Sequence, residues 1–184
     1  MIDIKTEIEY FAKNFGTMNI DLYNEFGLQF ELAFYLKGKF SGYKIQLERN
    51  VSHFIKNSNT TKKEMDIVIY SENLAERYCI ELKFPDNGRY PESMFDCCKD
   101  IKFLEELTQN GFNKSCVFMV AKDQLFYSGD DSNIYGYFRG GKTLTGNIQK
   151  PTGEKNTSIT LKNQYQIVWK NLTPEAKYFI VEVI

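Results

Sequence analysis

The sequence predicts an α/β fold: a central mixed β-sheet flanked by helices. Three observations lead there. The apolar runs at 65–69, 79–84 and 116–121 have the length and composition of buried strands. Helical segments lie on both sides of the first two runs and give a sheet something to pack against. The order strand, helix, strand across 79–121 implies a parallel, right-handed crossover. At 184 residues the chain suits one domain with a full core.

Taken in order, residues 3–14 read as a short amphipathic helix with Ile4, Ile8, Phe11 and Ala12 on one side, ended by Gly16. Asp21 is the expected cap of a second helix that runs to about Leu36 and closes at Gly38. In helical projection Leu22, Phe26, Phe30 and Ala33 mark its apolar arc, with Leu32 and Leu36 at the edge. Glu25 and Gln29 fall inside that arc. Residues 43–51 alternate like a first strand. A polar loop, 56–63, leads to a hairpin turning at Asn73 and Leu74. Pro85, Gly88 and Pro91 mark a loop. Residues 92–109 form a helix with Phe95, Cys98, Ile101 and Leu104 as its stripe, and 116–121 is a buried strand. A β-rich extension is expected over about 122–184, beyond a core of about 19–121.

Composition narrows the function. The net charge is −1, so binding to nucleic acid would rest on local patches and not on a global field. The N-terminus lacks a long apolar stretch, so neither a signal peptide nor a membrane span is expected. Cys79, Cys97, Cys98 and Cys116 form no Cys-x-x-Cys pair and read as reduced, buried thiols of a cytoplasmic protein. His53 is the only histidine, which argues against a His/Cys zinc site.

The chemistry is concentrated in 64–83. Asp66 interrupts one apolar strand, and Glu81 and Lys83 interrupt the next. Charges in buried strands are costly unless compensated. Alternation puts Glu81 and Lys83 on one face and Ile80, Leu82 and Phe84 on the other. A turn at Asn73 and Leu74 would set Asp66 opposite Glu81. Opposed carboxylates repel, and a divalent cation between them removes the repulsion.

Asp66, then fourteen residues, then Glu81-Leu82-Lys83 resembles the PD-(D/E)xK nuclease superfamily, with its restriction-endonuclease-like core of order α-β-β-β-α-β. Met65 stands where that family has proline, a backbone-shaping position and not a ligand. The resemblance covers roughly 19–121. It implies a Mg²⁺-dependent nuclease, with Mn²⁺ as substitute, that hydrolyses phosphodiester bonds in DNA; RNA and homodimerisation are left open. Asp66, Glu81 and the Leu82 carbonyl would hold the metal. Lys83 would orient the attacking water, or act as base if the metal lowers its pKa. The family's helix acid would be Glu25, from which leucines follow at plus three, plus seven and plus eleven, with Glu31 as fallback. The helix after the lysine strand can lend a polar side chain, for which Lys99 is a candidate. The alternative is a nucleic-acid-binding or protein-binding module that kept the fold without the chemistry.

Two further features need weighing. Residues 136–143 match the Walker A pattern literally, but a working phosphate loop opens a helix. Gly146, Pro151 and Gly153 forbid one, and Tyr137 and Phe138 suit a strand. The same stretch interleaves Tyr127, Tyr135, Tyr137 and Phe138 with Arg139 and Lys142, a composition that also suits base stacking. With Lys62, Lys63 and Arg89 near the loops 57–63 and 85–91, these are the basic residues expected to meet a polynucleotide.

Overall fold

Alternation along the strands sorts the core into two layers, one on each face of a single sheet. The computed structural model describes residues 1–18, 20–56, 59–85, 88–153 and 157–184. The sequence-predicted loops at 56–63 and 85–91 contain Asn57, Ser58, Asp86 and Asn87, which lie outside the described residues. Helix α1 (Ile4–Asn14) buries Ile4, Ile8, Phe11 and Ala12, the residues its spacing predicts. Helix α2 (Glu25–Lys39) follows, then β1 (Tyr43–Asn50), β2 (Glu64–Ser71), β3 (Arg77–Lys83), α3 (Tyr90–Gln109) and β4 (Ser115–Ala121). A short helix α4 (Tyr135–Phe138) precedes β5 (Leu144–Gln149), β6 (Ser158–Tyr165), β7 (Lys170–Thr173) and β8 (Ala176–Val183).

The main sheet has the order β1-β2-β3-β4-β8-β7. The β3–β4 pair is parallel, as the strand-helix-strand order requires, and the other pairs are antiparallel. The sheet is therefore mixed and flanked by helices. Ile67, Ile69, Ile80, Leu82, Phe118 and Val120 face α1 and α2. Val68, Cys79, Val117 and Met119 face α3 and the β5–β6 hairpin. All four cysteines are free and buried. Among the described residues, no helix is long and apolar enough to cross a membrane.

The cap and the buried face of α2 differ from expectation. The cap of α2 is Asn24, whose Oδ1 accepts from Gly27 N at 2.8 Å, and the helix continues through Gly38. Asp21 lies outside it. The buried face of α2 is Leu28, Gln29, Leu32 and Leu36, while Phe26, Phe30 and Phe34 are 70%, 59% and 71% exposed. Two apolar stripes at the same spacing share this helix, and hydrophobicity alone does not choose between them. The C-terminal third is β-rich, and its strand β8 joins the main sheet by pairing with β4 from Lys177 to Val183.

The stretch 135–138 is a helix and not a strand. Gly136 permits it, since a Cβ there would meet the Asp131 carbonyl at 2.7 Å. Gly136 lies inside this helix, and Gly140, Gly141 and Lys142 come after it and lead into β5, so the phosphate-loop geometry is not formed.

Candidate functional site

The β2–β3 ladder runs from Tyr70–Arg77 to Ile67–Ile80, centred on the turn at Asn73 and Leu74. Leu74 takes the left-handed conformation there, with φ 58°. One step further, Asp66 stands across from Glu81, the register that the sequence implies. Backbone pairing ends at this point and side chains take it over. Leu82 N donates to Asp66 Oδ2 at 2.7 Å, and Asp66 N donates to Glu81 Oε1 at 3.3 Å.

The other side of Asp66 is equally irregular. The β1–β2 register passes over the Glu48–Asp66 position, and Glu48 has φ 48°. Gln29, buried on α2, donates to both the Asp66 carbonyl at 2.7 Å and Glu48 Oε1 at 2.6 Å. A buried amide thus serves two acceptors beside the broken ladder, as burial of polar groups demands. Glu25, at the first turn of α2, accepts from Phe84 N at 2.8 Å. Glu25, Phe26, Gln29, Glu48, Asp66 and Leu82 line a cavity of about 50 Å³. Glu25 therefore reaches Asp66, whereas Glu31, further along the helix, lines none of this cavity among the described residues.

Helix α3 closes the opposite side. Asp100, buried within it, receives Lys83 Nζ at 2.9 Å through Oδ2 and Lys62 Nζ at 3.1 Å through Oδ1. Lys62 also pairs with Glu81 and lies 3.6 Å from Asp66 Oδ1. Lys83 Nζ additionally donates to the Leu82 carbonyl at 2.9 Å. Lys62 thus points inward, which corrects its expected place among the outer basic contacts. Lys99 pairs with Asp96 on the surface, so the polar group that α3 lends is Asp100. Asp100, Gln29 and Glu48 were not singled out by the sequence reading. The available signal for Asp100 was a carboxylate three residues from both Cys97 and Phe103, inside the apolar stripe.

Charge shapes the titration of these groups. Burial, then Asp66 and Asp100, pushes Glu81 up to about 8. Burial also raises Asp66, against the pull of Lys62 and the Leu82 amide. Burial raises Glu25, opposed by Lys83. For Lys62, burial disfavours the charge, but Glu81, Asp100 and Asp66 outweigh it and hold the ammonium form. Lys83 is likewise held protonated, burial being overcome by Asp100 and Glu25.

The remaining basic residues are tied elsewhere. Arg139 binds the Leu125 carbonyl at 3.0 Å and the Asp130 carbonyl at 2.6 Å, and its guanidinium lies 3.9 Å from the Tyr135 ring centroid. Lys142 lies over the Tyr137 ring. Arg89 precedes α3 and lines a shallow pocket with Glu92, Lys99 and Lys150. The Lys63 carbonyl accepts from Val51 N at 2.8 Å.

Oxygen donors dominate around Asp66, which suits a hard cation such as Mg²⁺. Among the described residues, no three carboxylate, imidazole or thiol side chains form a ready-made metal cage. Mg²⁺ needs no such cage, since it is usually held by one or two carboxylates, waters and substrate phosphate. Glu25, Asp66 and Leu82 fit that requirement, while Glu81 is engaged by Lys62. Comparison of the chain with protein-family models, with curated proteins and with solved structures finds no match.

Proposed function

We propose that the protein is a metal-dependent nuclease of the PD-(D/E)xK type on a restriction-endonuclease-like core, with DNA as its substrate. One observation carries the reading. Asp66, Glu81 and Lys83 meet at the end of the β2–β3 ladder, and Glu25 reaches the same point from α2. Glu25, Glu48, Asp66, Glu81 and Asp100 bring five formal negative charges against the two positive charges of Lys62 and Lys83. A divalent cation would offset most of that excess; burial, first of all, raises Glu25, Asp66 and Glu81 toward their protonated forms.

In this reading Asp66, Glu25 and the Leu82 carbonyl hold the metal, with Glu48 and Gln29 fixing the cavity wall. A Mg²⁺ held by these residues would supply polarisation of a phosphoryl oxygen and a water of lowered pKa. Lys83, held as the ammonium form by Asp100 and Glu25, would orient the water and offset charge on the phosphoryl oxygens. Asp100 holds the Lys83 ammonium in place from behind.

The test is incubation of the pure protein with single- and double-stranded DNA and with RNA, in Mg²⁺ or Mn²⁺ and again with chelator. Metal-dependent loss of polymer is expected, absent in Asp66→Ala and Lys83→Ala. Cleavage undiminished in both variants would remove the assignment. Polymer retarded but intact selects the non-catalytic module, a reading favoured by the exposed Tyr23, Phe26, Phe30 and Phe34, of which Phe26 lines the cavity.

A further inference from the structure

We propose that the Lys62 side chain is a resident cation: its ammonium bridges Glu81, Asp100 and Asp66, which form no ready-made metal cage as they stand, and its removal leaves those carboxylates to draw together around a divalent ion. This rests on the metal-dependent reading and refines it. The site then accepts a single divalent ion, on the α2 side of Asp66.

Three features support the assignment. The first is convergence. One ammonium lies at 3.1 Å from Asp100 and 3.6 Å from Asp66, in direct contact with Glu81. Those carboxylates come from β2, β3 and α3, and Glu81 is wholly buried. A group that bridges oxygens from three elements does a cation's work.

The second is delivery. The segment that carries Lys62 is fastened to α3 and to itself. Thr61 donates to Glu106 through N at 2.6 Å and through Oγ1 at 2.8 Å. Thr60 Oγ1 donates to the Lys62 carbonyl at 2.6 Å. The lysine stem therefore enters the cluster from a fixed base. Its ammonium also lies 5.7 Å from the Phe103 ring centroid, a favourable distance for a cation.

The third is the division of the site. The cavity on the α2 side is lined by Glu25, Gln29, Glu48, Asp66 and Leu82, and Lys62 is no part of it. Asp66 is the carboxylate common to both halves, facing Lys62 through Oδ1 and lining the cavity. One half is filled by protein and the other is open.

The experiment counts bound Mn²⁺ on the full chain by electron paramagnetic resonance, for the wild type and for Lys62→Ala. The expected result is one Mn²⁺ per wild-type chain and two per Lys62→Ala chain. Equal numbers in the two proteins would overturn the inference, whatever that number is. A wild type that binds none speaks instead against the nuclease reading; a gain of one in Lys62→Ala then still marks Lys62 as the cation's substitute. If Lys62→Ala does not fold in chelator, circular dichroism is followed as Mn²⁺ is added. Recovery of the folded signal supports the inference, and a chain that stays unfolded refutes it.

Discussion

Lys83 Nζ lies 2.9 Å from Asp100 Oδ2, so β3 and α3 are joined by a charge pair beneath the candidate site. The carboxylate is almost wholly buried and also meets Lys62. Breaking such a pair from one side leaves an uncompensated buried charge, at about 3–5 kcal/mol. Asp100→Asn leaves two ammonium groups short of a partner. Its unfolding free energy should fall by about 3 kcal/mol, the low end, because Lys62 retains Glu81 and Lys83 is not fully enclosed. Urea unfolding measures this. A fall below about 1 kcal/mol, the worth of an exposed pair, would show that the contact is not held in solution.

Glu81 gives the metal-free protein a pH signature. Its carboxyl is pushed from 4.5 to about 8, by burial first and then by Asp66 and Asp100. The folded state therefore holds a proton that the unfolded state releases. The stabilisation is fully present below the unfolded pKa and is lost as pH rises through the folded one. In chelator, the melting temperature should fall as pH rises from 4.5 through about 8. Glu81→Gln, which keeps the shape and removes the titration, should flatten that slope. A variant that melts with the wild-type slope would assign it to other groups.

The two faces of α2 make a sharp comparison. Leu32 is completely buried, while Phe30 is 59% exposed. Leu32→Ala should lose about 2–5 kcal/mol through lost transfer energy and the cavity left behind. Phe30→Ser should change stability by less than about 1 kcal/mol despite removing the larger side chain. Thermal or denaturant unfolding of both variants decides it, and the reverse order of losses would restore the phenylalanine arc as the buried face.

This helix shows how much was legible. The leucines at plus three, plus seven and plus eleven from Glu25 are the buried stripe, and Glu25 lines the cavity on that side. The phenylalanine stripe has the same period, and the choice between them is made by the sheet, which the helix sequence does not contain. The β2–β3 register was legible for a local reason: a tight turn fixes the pairing of the strands it joins. The roles of Asp100 and Lys62 were not, since Lys62 meets Asp100 across 38 positions and Glu81 across 19. The β-rich character of 122–184 was legible, but the pairing of β8 with β4 was not, because the two strands meet only through tertiary packing. Local periodicity yields elements and faces, whereas charge partners across elements follow from topology.

The start of α2 couples stability to the site. Asn24 Oδ1 accepts from Gly27 N at 2.8 Å and satisfies one of the free amides of the first turn. Glu25 is the next residue, so the cap also sets the direction from which its carboxylate meets Phe84 N and the cavity. Asn24→Ala should lower the unfolding free energy by about 1 kcal/mol, the usual worth of such a cap. It should also weaken Mn²⁺ binding, because a frayed first turn no longer presents Glu25. Asn24→Asp keeps the acceptor and should retain both properties. Denaturant unfolding and Mn²⁺ titration of the two variants separate these effects. Loss of stability with unchanged metal affinity in Asn24→Ala would mean that Glu25 does not hold the ion, leaving Asp66 and Leu82 as its protein ligands.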